Sequence, residues 1–112
     1  MQQALATRAY RAASARRSPR EQEADVFRRV TGALRAAKDG TPLDQAKALA
    51  DNSRLWMMIG DVLRDPDNAL PTGLRASIVS IGQALQREMR GPVPDFAFLI
   101  AVNEDITAGL SG

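Results

Sequence analysis

The chain has 112 residues and a net charge of +2, with 45% hydrophobic, 25% charged and 4% aromatic residues. That length suits one domain, 1–112, and the apolar fraction is too high for wholesale disorder. With no cysteine and no histidine, disulfides, thiolate metal sites and the commonest general base are excluded, so the expectation is a protein that is not an enzyme and carries no cofactor or metal. No apolar run approaches the ~20 residues of a membrane span, and the N-terminus lacks the apolar stretch of a signal peptide. The expected location is the cytoplasm, with no membrane partner.

Charge is uneven. Residues 1–40 sum to +5 and residues 41–112 to −3, and thirteen of the fifteen basic residues are arginine. Arg8, Arg11, Arg16, Arg17 and Arg20 form the densest cluster. Arginine favours interfaces and phosphate recognition, so this cluster reads either as a contact surface, for RNA or acidic protein, or as a solvated basic face. Only Tyr10 interleaves with it, and the stacking platform of a single-strand binder is missing.

Taken in chain order, residues 2–15 are rich in alanine and glutamine and predict a helix with few large side chains to anchor it. Residues 1–16 are therefore expected to attach loosely. Ser18-Pro19-Arg20-Glu21 places a hydroxyl, a proline and a glutamate as a capping box requires. Ala24, Phe27, Val30, Thr31 and Leu34 follow as one helical stripe, and Asp39-Gly40 ends it, with glycine expected in the left-handed region.

Thr41-Pro42 repeats the start signal for a helix to Arg64. Its first half is expected to turn Leu43, Ala46 and Ala50 to one side, and its second half is apolar nearly all round from Leu55 to Leu63. Asp65-Pro66-Asp67-Asn68 is a turn by composition. A calcium loop would need further oxygen ligands, a mid-loop glycine and a terminal glutamate, which are missing. Pro71 opens a helix to about Arg90 with the stripe Leu74, Ile78, Ile81, Leu85 and Met89, and with Gly82 beside it to permit a close helix approach. After Gly91-Pro92-Val93-Pro94, Asp95 caps a last helix whose stripe is Phe96, Leu99, Ile100, Ile106 and Leu110, with Asn103 on the same face. No alternating strand pattern appears. The fold expected is all-α, a compact bundle of about five helices around an apolar central helix.

No phosphate loop, nucleophile elbow or metal-ligand pattern is present, and the adjacent Glu104 and Asp105 would point about 100° apart on a helix. The candidate residues are for binding. Trp56, Met57 and Met58 read either as core or as adaptable interface anchors for a partner helix. Asn52 and Asn103 read either as satisfied buried amides or as donors to a partner backbone. Tyr10 is a further candidate anchor.

Several residues in order resemble one family. Ala9-Tyr10, Ser18-Pro19-Arg20-Glu21, Phe27, Val30-Thr31 and Leu34 form one block, and Asn52, Leu55-Trp56, Asp65-Pro66, Asn68, Leu70-Pro71, Leu74-Arg75, Asn103 and Gly109-Leu110 continue it. Together they resemble the FlaF family, small flagellar biosynthesis regulators of alphaproteobacteria. The resemblance implies a cytoplasmic helper of flagellin production and export, similar in role to a flagellin secretion chaperone, working alongside the translational regulator FlbT. It implies flagellin as partner, and the adaptable apolar residues Trp56, Met57 and Met58, with Tyr10, predict contact with a terminal amphipathic helix of it. The alternative is a post-transcriptional regulator that contacts flagellin messenger RNA directly or only through FlbT.

Overall fold

The computed structural model describes residues 19–111 of the chain. They form four helices: α1, Pro19–Ala37; α2, Pro42–Arg64; α3, Thr72–Arg90; and α4, Phe96–Ser111. The described residues contain no strand, and the all-α expectation holds. The helix expected over residues 2–15 lies outside the described residues, as do Ser18 and its proposed cap. That leaves four helices here against the five expected.

Each boundary has a local cause. The stripe of α1 buries Ala24, Phe27, Thr31 and Leu34, with Val30 half-buried. The helix stops at Ala37, where the Gly40 amide donates to the Ala37 carbonyl. No described glycine has positive φ, so Gly40 closes this turn without the left-handed conformation expected of it. The capping box of α2 is complete. The Asp44 amide donates to Thr41 Oγ1 and the Thr41 amide donates back to Asp44 Oδ2, which satisfies two amides that the first turn cannot pair internally.

The α2–α3 turn is held by its own side chains. Asp65 Oδ1 accepts from the Asp67 amide and Asn68 Oδ1 from the Leu70 amide, while Asn68 Nδ2 donates to the Val62 carbonyl. Arg75 reaches back from α3 and donates to the Leu63 and Asp65 carbonyls at the end of α2. At the last helix, Asp95 Oδ1 accepts from the Phe98 amide, the cap expected there.

α1 packs along both α4 and α2, and α2 packs along α3. The buried core joins Phe27, Leu34 and Ala37 of α1 with Ala48, Leu55 and Trp56 of α2, Leu85 of α3, and Phe96 and Leu99 of α4. Phe27 meets Trp56 edge to face, ring centroids 5.9 Å apart and planes at 84°, an arrangement that adds about 1 kcal/mol to simple area burial. Arg35 of α1 forms an ion pair with Glu104 of α4 at the surface.

Two expected stripes are corrected. Leu43, Ala46 and Ala50 do turn one way, but outward, with Leu43 63% exposed. The face of α2 that α1 and α4 cover is the opposite one, through Ala48, Asn52, Leu55 and Trp56. The stripe of α3 divides along its length. Leu85 is fully buried, Ile78 and Met89 are half-buried, and Leu74 and Ile81 remain exposed. The start of α3 therefore runs beyond the cover that the core supplies to its end.

Candidate functional site

The site is built on the antiparallel pair α2 and α3. Their register is set by side chains: Ser53 Oγ donates to Gln86 Oε1 across 2.8 Å, and Gln86 Nε2 returns a bond to the Ser53 carbonyl at 2.9 Å. One turn on, Gly82 lies against the Trp56 ring. A Cβ on Gly82 would come within 3.1 Å of Trp56 Cε3, so the missing side chain is what lets the indole approach α3 this closely.

Behind that ring runs a polar chain through the core. Trp56 Nε1 donates to Asn103 Oδ1 at 3.0 Å, Asn103 Nδ2 donates to Asn52 Oδ1 at 2.8 Å, and Asn52 Nδ2 donates to Met89 Sδ at 3.4 Å. Both asparagines are 0% exposed and Trp56 is 3% exposed. Three helices are thus tied together by buried amides, where leaving a partner unmade is costly. Of the two readings the sequence left open, Asn52, Trp56 and Asn103 take the internal one. Their polar atoms pair with one another and with Met89 Sδ inside the core.

Met57 and Met58 are not core: they are 60% and 65% exposed. They point to different surroundings. Met57 lines a cleft of about 520 Å³ between α2 and α3, whose walls also include Ile78 and Val79 and whose floor is Trp56 and Gly82. Arg64, Arg87 and Arg90 border it as well. The first of these is folded back along its own helix, since a Cβ on Gly60 would lie 2.8 Å from Arg64 Nη1. None of the three guanidinium groups has a hydrogen bond or ion pair among the described residues. Tyr10, Arg8, Arg11, Arg16 and Arg17 lie outside the described residues, and Arg20 opens α1 with its side chain outside them too.

The sequence model of the flagellar protein FlaF family matches residues 6–110. The chain belongs to the FlaF family. No curated protein and no solved structure gives a significant match. The family match covers all of α1, α2 and α3, so the cleft and the polar chain behind it lie within the FlaF unit.

In the sequence the densest arginine cluster is N-terminal, and the arginines of the cleft stand apart from it. A weak signal exists: Val79, Gln83, Gln86 and Arg90 recur at spacings of four, three and four along α3, a face beside the apolar stripe. Nothing in the spacing places Arg64 across from it. That requires knowing that α2 and α3 pair antiparallel through Trp56 and Gly82.

Proposed function

We propose that this flagellar protein binds a terminal amphipathic helix of flagellin in the cytoplasm, acting as a secretion chaperone and as a regulator of flagellin synthesis and export alongside FlbT. The observation that carries the reading is Met57, 60% exposed beside the α2–α3 cleft, in a flagellar family member whose Trp56 is already closed inside. Methionine is unbranched and polarisable and adapts to helices of varied sequence. A flagellin end held in this way is kept from polymerising before export, and the task asks for apolar cover without a reaction.

Calorimetry with separate peptides from the two flagellin ends, titrated into the full chain, tests the reading. Binding of one end with a negative heat-capacity change supports it, because that change marks burial of apolar surface. No binding of either end overturns it. Binding of flagellin messenger RNA instead, falling steeply with salt as counterions are released, would assign the regulation to nucleic acid.

A further inference from the structure

We infer that the α2–α3 cleft selects a helix carrying carboxylates beside its apolar face, and that Arg64, Arg87 and Arg90 are the residues that read them. The inference rests on the helix-binding reading above and adds the chemistry of the occupant.

The cleft combines two features that a solvated face does not need together. Its apolar part, with Met57, Ile78 and Val79 over Trp56, offers an aliphatic contact, and its three arginines make no ion pair with any described carboxylate. Ile78 to Arg90 runs about 18 Å along the axis of α3, which accommodates a few helical turns of a partner. Guanidinium groups bind carboxylates in a fork geometry and are only weakly hydrated, so they suit a half-dry rim.

Charge also chooses between occupants. The chain's own first eighteen residues contain Arg8, Arg11, Arg16 and Arg17 and no Asp or Glu, so like charge would oppose their seating. RNA would be drawn to the arginines but would find no ring to stack on, since Trp56 is buried and its N–H is committed to Asn103. An acidic amphipathic helix satisfies both parts of the cleft.

The test uses two synthetic four-turn helices with the same Leu/Ala face, one flanked by Glu and the other by Lys, and follows their binding to the full chain by fluorescence anisotropy. The Glu helix is expected to bind and the Lys helix to bind far more weakly. The triple variant Arg64→Gln/Arg87→Gln/Arg90→Gln should weaken the Glu helix about tenfold, as three partly exposed pairs of ordinary strength would, and should flatten its salt dependence. Circular dichroism checks that the variant retains its helices. If it does not, Gly60→Ala serves instead: its methyl group claims the space of the Arg64 guanidinium and should weaken the Glu helix about threefold.

Equal binding of the two helices, or unchanged binding to a folded triple variant, overturns the inference. So does an oligouridine that displaces the Glu helix and itself depends on the arginines, or a dimer in sedimentation that the triple variant dissolves. The outcome for the functional reading is separate. Flagellin peptides that fail to bind while the Glu helix binds through the arginines would remove flagellin and leave the cleft. Flagellin peptides that bind the triple variant undiminished would remove the cleft and leave flagellin.

Discussion

Trp56 donates its indole N–H to Asn103 Oδ1 across 3.0 Å, and the same amide donates to Asn52. One side chain of α4 thus satisfies two of α2. Its loss strands groups on both sides.

Asn103→Leu should cost about 3 kcal/mol, since it leaves the Trp56 N–H without an acceptor and Asn52 Oδ1 without a donor in a dry interior. Trp56→Phe should cost less at the hydrogen-bond level, about 1 kcal/mol for the one stranded acceptor, with a further loss from the smaller ring. Urea denaturation of the wild type and the two variants gives the comparison, with Asn103→Leu expected to lose stability while its indole is intact. An Asn103→Leu protein as stable as the wild type would mean that the chain of amides contributes nothing.

Two glycines in helix interiors should respond with opposite sign. Gly32→Ala meets no atom within 4 Å and should stabilise by about 1 kcal/mol through helix propensity alone. Gly82→Ala gains the same propensity but drives its methyl against Trp56 Cε3 at 3.1 Å. The ring is rigid, buried and held at its nitrogen, so overpacking of about 2 kcal/mol outweighs the gain. Thermal melts should show the first variant above the wild type and the second below it.

Thr41→Ala should lower stability by about 1 kcal/mol. It removes the hydroxyl that accepts the Asp44 amide at 3.1 Å, and no other described side chain replaces that cap. Denaturant midpoints check the value, and an unchanged midpoint would show that water serves the amide as well.

Met57 and Met58 are neighbours in sequence yet point about 100° apart on α2. Met57→Gln and Met58→Gln should both leave the melting temperature nearly unchanged, because both side chains are exposed. Binding should separate them. Met57 lines the α2–α3 cleft, so its replacement should weaken a helical flagellin peptide by about tenfold, the loss of one good apolar contact, while Met58→Gln changes affinity little. The reverse order would move the binding surface to the other side of α2.

The local grammar of the chain was readable without coordinates. Thr41-Pro42, Asp65 to Asn68 and Asp95 each act through atoms within a few residues, and all three perform as their spacing indicated. The stripe from Ala24 to Leu34 was also legible, because α1 has one apolar face and two neighbours cover it. α2 was harder. Its apolar residues occupy almost the whole circumference after Leu55, so periodicity could not tell Trp56 from Met57, and its first half misled because Leu43, Ala46 and Ala50 lie at helical spacing on the uncovered side.

From sequence alone came the helical class, the ends of the described helices to within a few residues, and the family resemblance, all of which depend on local hydrogen bonding and on the order of residues along the chain. The tertiary structure decided which apolar residues are inside, that Asn52, Trp56 and Asn103 satisfy one another, and that three arginines from two helices share a cleft. Those facts follow from which helix covers which face, and packing brings together residues dozens of positions apart whose relation no spacing rule can express.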